Sequence, residues 1–83
     1  MPYIKLVERD RAATNPETPG ELNFALTQVV LTYIKHRGGV SYTTINECVG
    51  ALECAKLELY RRSGATYEDR KCWENGDVYP PPV

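Results

Sequence analysis

The side chains with the most chemistry to offer cluster late in the chain. Lys56, Tyr60, Arg61, Arg62, Tyr67, Arg70 and Lys71 put five cations and two phenols within a short stretch. Arginine forks grip phosphate oxygens in pairs, and tyrosine rings stack on bases. Lys56, Tyr60, Arg61, Arg62, Tyr67 and Lys71 are therefore the expected ligand-binding set, and a nucleotide or another small phosphate-bearing molecule is the expected ligand. A plainer account competes with it. Arg61 and Arg62 suit the negative end of a helix dipole, and Glu58, Glu68 and Asp69 stand ready to neutralise them.

A second group sits at the two ends. Tyr3-Ile4-Lys5 and Asn75-Gly76-Asp77-Val78-Tyr79 each carry an aromatic among polar groups, the composition of contact surfaces. Trp73 is the only tryptophan. Tyr3, Trp73 and Tyr79 are thus candidates for holding a partner. Trp73 has an alternative role as an apolar cap over the groove between the long helices.

Catalysis finds little support. Cys48, Cys54 and Cys72 read as small core residues, and a thiol nucleophile would need a base. His36 is the only histidine, and it lies far from all three in the chain. The carboxylates Glu53, Glu58, Glu68 and Asp69 fall on helix surfaces with no accompanying histidine. With one histidine and no Cys-x-x-Cys, neither a metal nor another cofactor is expected. The expectation is a protein that is not an enzyme.

Size and charge bound the rest. The chain has 83 residues and a formal net charge of −1, enough for one helical domain over 1–83 whose own core is marginal. An odd cysteine count, and a Met1 to Asp10 segment without an apolar core, predict reduced thiols and no secretory leader. Extra burial must then come from a partner chain, so a homo-oligomer is expected. The most apolar stretch, Leu22 to Ile34, is too short and too polar for a bilayer. The mild charge argues against strong DNA binding.

These side chains need elements to position them. Residues 1–18 read as an extended arm ending in Asn15-Pro16 and Thr18-Pro19 turn signals. A first long helix is predicted from Pro19 to His36, with Thr18 as N-cap, Glu21 completing a capping box and Gly38-Gly39 as the stop. Its main apolar stripe is Leu22, Ala25, Leu26, Val29, Val30 and Tyr33, with Phe24 and Leu31 on a different face. A second long helix should run from near Ser41 to about Arg62, capped by Ser41 or Thr44 and stopped by Gly64. Its face Ile45, Cys48, Val49, Leu52, Ala55 and Leu59 should pack on the first helix. The small-residue face Gly50, Ala51, Cys54 and Leu57 is left for another subunit. A short third helix over Tyr67–Glu74, capped by Thr66, would be folded back by the Gly64 turn. Residues 72–79 read as a helix end or as a hairpin around Asn75-Gly76. Residues 80–83 form a proline-rich tail. The fold class is all-α: an antiparallel helical hairpin with a short third helix and extended terminal arms, oligomeric.

Several segments together carry a resemblance: Met1-Pro-Tyr-Ile-Lys, Gly20-Glu-Leu-Asn-Phe-Ala, Gly50-Ala-Leu-Glu-Cys-Ala-Lys-Leu-Glu-Leu-Tyr-Arg-Arg, Tyr67-Glu-Asp-Arg-Lys and Glu74-Asn-Gly-Asp-Val-Tyr. The chain resembles a family of short, uncharacterised proteins of tailed bacteriophages and their prophages. The resemblance implies a phage accessory protein in the cytoplasm of the bacterial host, and it brings no activity and no catalytic residue. Two versions follow. One sequesters a nucleotide-type signal at a subunit interface as an antagonist of host defence. The other inhibits a host defence complex by protein contact, through Trp73, Tyr79 and the acidic residues Glu68, Asp69, Glu74 and Asp77. A structural or nucleic-acid accessory role is the third.

Overall fold

A computed structural model describes residues 1–81. A 3-10 turn at Leu6–Glu8 leads into α1 (Arg9–Thr14), followed by α2 (Pro19–His36) and α3 (Tyr42–Leu59). A π-helical turn, Tyr60–Gly64, joins α3 to α4 (Ala65–Asn75). No strand occurs among the described residues, so the fold is all-α. The chain divides into two compact units, residues 1–48 and 49–83. The proline-rich tail expected at 80–83 lies partly on Pro82 and Val83, outside the described residues.

In the first unit, α2 begins and ends where local signals place it. Thr18 is extended, and its hydroxyl accepts the Glu21 N–H at 3.1 Å, with Pro19 in the first turn. At the other end Gly38 and Gly39 have φ of 96° and 106°, and the Gly39 N–H reaches back to the Ile34 carbonyl at 2.9 Å. Left-handed backbone of this kind is cheap only for glycine. Entry into α3 is closed by a reciprocal pair. The Ser41 hydroxyl accepts the Thr44 N–H, while the Thr44 hydroxyl accepts the Ser41 N–H at 2.9 Å. Glu47 accepts from the Tyr33 hydroxyl at 2.9 Å and from Arg37 at 3.3 Å.

Residues 1–18 are not the extended arm that the sequence suggests. Residues 6–14 are helical, and α1 packs on α2. Arg11 grips both oxygens of Glu21, at 2.7 and 2.8 Å, and the Glu17 N–H donates to the same carboxylate at 3.0 Å. Glu21 thus turns its carboxylate toward Arg11 and Glu17 rather than closing the capping box on Thr18. Arg9 lies over the Phe24 ring at 5.7 Å and donates to the Ile4 carbonyl. Ala12, Phe24, Cys48, Glu21 and Thr44 are the buried residues of this unit. The α2 face that closes is therefore the one with Phe24. Leu22, Leu26, Val29 and Tyr33, expected to be covered by the second long helix, are exposed.

The second unit has no buried residue among 49–81. Gly64 does not stop the second long helix. Its φ of −68° and ψ of −49° are ordinary right-handed helix, and the chain runs on through the π turn into α4. What Gly64 supplies is space: a Cβ there would stand 2.8 Å from Cδ2 of the Tyr60 ring. Because the helix continues, Thr66 has no orphan N–H to cap, and its hydroxyl donates to the Arg62 carbonyl instead. The helix ends at Asn75, where Gly76 takes a φ of 92° and donates to the Cys72 carbonyl at 2.9 Å. Residues 72–79 are a helix end and not a hairpin.

Candidate functional site

The residues expected to hold a ligand all fall in the second unit. Without the Gly64 turn they are spread along one continuous helical run, and most already have partners. Arg61 and Arg62 both bind Glu58, at 2.6 and 2.7 Å. Lys56 pairs with Glu53 at 3.2 Å, and Lys71 with Glu74 at 3.4 Å. The Tyr60 hydroxyl donates to Glu68 at 2.8 Å across the π turn. The Tyr67 ring has the Arg70 guanidinium at 5.5 Å and the Lys71 ammonium at 5.8 Å from its centre, both within cation–π reach.

The partners leave their mark on protonation. The Arg61 and Arg62 guanidiniums hold the Glu58 carboxyl below the usual carboxylate range. The bond to Glu68 raises the Tyr60 phenol above its ordinary value. Partial loss of water, then the nearby Asp77 and Asp69 charges, raise the Cys72 thiol, so it stays protonated and a poor nucleophile. Cys48 is buried in the first unit, and Cys54 is exposed. Among the described residues no group of three histidine, cysteine or acidic side chains could hold a metal ion.

Beyond α4 the chain bends back. The Tyr79 N–H donates to Asp77 at 3.0 Å, and an open recess of about 440 Å³ lies between this turn and the helix. Glu68, Asp69, Lys71, Cys72, Asp77 and Tyr79 are among its lining residues. Trp73 is 87% exposed and Tyr79 is 80% exposed, so Trp73 is not the core cap that was one of its expected roles. Tyr3, in the first unit, is exposed as well.

Residues 1–78 match the family described as a domain of unknown function, DUF6899. The chain belongs to that family. No curated protein and no solved structure matches it. The DUF6899 match spans both units and takes in Tyr3, the basic and aromatic run and Trp73, while Tyr79 falls one residue beyond it. No described helix is long and apolar enough to cross a membrane.

Sequence reasoning missed two residues that organise these units. Arg11 was hidden in a segment read as extended. Glu68 was read as a neutralising charge for the arginines, and it holds Tyr60 instead. Glu58, by contrast, neutralises Arg61 and Arg62 as expected, the latter at i,i+4 spacing.

Proposed function

We propose that this chain is a non-enzymatic binding protein that works as a homo-oligomer, an accessory protein of a tailed bacteriophage acting in the cytoplasm of its bacterial host. The observation that carries the oligomer is the absence of any buried residue from 49 to 81. Leu52, Leu57, Leu59, Tyr60, Tyr67 and Trp73 all stand in solvent there. Covering a side chain of this size contributes about 1.5–3 kcal/mol, and exposed apolar patches of this extent mark contact surfaces. The resemblance of its segments to short phage proteins supports the accessory role. The protonated Cys72 and the distance in sequence of His36 from every thiol support a non-catalytic one.

As a binding protein it antagonises host defence, by one of the two routes set out above. The protein-contact route has the specific observation in its favour. Trp73 and Tyr79 are the most open aromatics of the second unit, and Tyr79 borders an acidic recess. The nucleotide route requires a phosphate to compete with Glu58 for Arg61 and Arg62, which a second subunit would have to assist.

Sedimentation velocity on the purified protein, followed by native mass spectrometry, tests the proposal. The expected species is a multiple of the 9.4 kDa chain. A monomer at micromolar concentration contradicts the oligomer. A co-purified nucleotide would favour the sequestering route, and host protein captured by wild type but not by Trp73→Ala would favour protein contact.

A further inference from the structure

We infer that Tyr60 is the latch of a register switch in the helical run of the second unit. With the latch closed, the run carries the π turn Tyr60–Gly64. With it open, the turn relaxes to ordinary α-helix, and α4 rotates against the helix before it by about 100°, one residue's share of a 3.6-residue turn. Every residue involved lies in this one unit, so the switch is independent of the homo-oligomer reading.

Three observations meet at the turn. The Ala65 N–H donates to the Tyr60 carbonyl, five residues back, where an α-helix would use the Arg61 carbonyl, four back. The Tyr60 ring lies against Gly64, where a Cβ would stand 2.8 Å from Cδ2 and 3.2 Å from Cε2. The Tyr60 hydroxyl donates to Glu68 at 2.8 Å, eight residues on. This last bond depends on the register. In an unbroken α-helix eight residues overshoot two turns by about 80°, which would put phenol and carboxylate on different flanks. A turn closed by i→i+5 bonds takes in one more residue, and eight residues then make close to two turns. Tyr60 and Glu68 fall in line only while that extra residue is held.

Other contacts do not fix the π turn. Leu59 and Ala65 on either side of it have ordinary right-handed helical dihedrals, and no side chain caps it. Arg61 and Arg62, inside the turn, both reach back to Glu58, which leaves Glu68 to the phenol. A hydrogen bond to an ionised acceptor is stronger than one between neutral groups. With the ring seated on a glycine, that one bond selects a register that helices seldom use.

The register decides what continues the apolar line of the preceding helix. Leu52 and Leu59 are seven residues apart, close to two turns, and share a face. In the π register Tyr67, eight residues beyond Leu59, extends that line. In the α register Thr66, seven beyond, takes its place. Leu52, Leu59 and Tyr67 are all exposed, so the latch exchanges an aromatic ring for a small hydroxyl side chain on an open surface.

Nitrogen–carbonyl couplings across hydrogen bonds, measured by NMR on the full chain, test the switch. Wild type should show coupling between the Ala65 nitrogen and the Tyr60 carbonyl carbon, with NOEs from the Tyr60 ring to the Gly64 α-protons. Tyr60→Phe keeps the ring and removes the donor, and Glu68→Ala removes the acceptor. Both should lose the Ala65–Tyr60 coupling and gain one from Ala65 to the Arg61 carbonyl. Glu68→Gln retains an acceptor and should keep the wild-type pattern. An unchanged Ala65–Tyr60 coupling in Tyr60→Phe and Glu68→Ala overturns the latch. Loss of both couplings overturns it too, since the phenol would then hold the helix and not its register. An Ala65–Arg61 coupling in wild type removes the π turn itself.

Discussion

The two units of this chain solve the problem of small size differently. In residues 1–48 a short helix closes on a long one. Ala12 and Phe24 are buried, and Glu21, only 5% exposed, is held by both terminal nitrogens of the Arg11 guanidinium. In residues 49–81 nothing is buried, and the contacts are ion pairs and tyrosine hydrogen bonds made along a single helical run. The first unit holds its form by internal packing. Both units leave apolar side chains open, Leu22, Leu26 and Val29 in the first and Leu52, Leu57 and Leu59 in the second, but the second does so with nothing buried beneath them, the disposition of a surface meant for another molecule. Exposed ion pairs at helix spacing contribute only a few tenths of a kcal/mol each, so they shape that surface more than they stabilise it.

Substitutions separate the two. Phe24→Ala should have the largest effect, a loss of about 3 kcal/mol of stability measured by urea unfolding, because it empties the one large buried side chain of the first unit. A far smaller loss would mean that this core contributes little.

Acid should act on the same unit. The Arg11 guanidinium and the Glu17 N–H hold the Glu21 carboxyl below its ordinary value. A depressed carboxyl stabilises the fold fully above its unfolded pKa, and that contribution is lost as pH falls through the usual carboxylate range toward the folded value. Melting temperature should therefore drop with acid through that window more steeply in wild type than in Glu21→Gln. Parallel curves would show that Glu21 is not the responsible group. Glu47, held down by Tyr33 and then by Arg37, contributes in the same direction.

Thr18→Ala should cost about 1 kcal/mol through the lost cap on α2, read in the same unfolding assay. The smallest effect is expected at the π turn. Gly64→Ala forces a Cβ into the Tyr60 ring, and the exposed ring can swing aside at the expense of its bond to Glu68. Stability should change by less than about 1 kcal/mol, within the range of surface substitutions. The Tyr60 phenol should fall back toward its ordinary pKa in an ultraviolet titration. An unchanged titration would separate Gly64 from the Tyr60 geometry.

Local signals made α2 legible to the residue. Thr18, Pro19 and the Gly38-Gly39 pair act through hydrogen bonds and φ angles that need no tertiary partner. The face that α2 buries was not legible, because α1 docks through Arg11 and Arg9 and carries no apolar stripe to announce itself. The continuation from α3 to α4 was hidden for a related reason. A glycine after a helix usually signals a left-handed stop, whereas Gly64 is helical and serves by lacking a Cβ. That misreading also folded Tyr67 and Lys71 back onto Arg61 and Arg62, and the continuous helix leaves the expected ligand set strung out and largely paired. The residue types of the site were visible in the sequence, but their convergence depended on a turn that does not exist.

Hydrogen exchange resolved along the chain, at two protein concentrations, tests the contrast between the units most directly. Amides in local equilibrium with an associated state gain protection as association increases. The account predicts that amides from 49 to 75 become more protected as concentration rises from dilute to tens of micromolar, by tenfold or more for each tenfold shift in bound fraction to free. Amides around Ala12 and Phe24 should change far less. Equal protection in both units, independent of concentration, would contradict it.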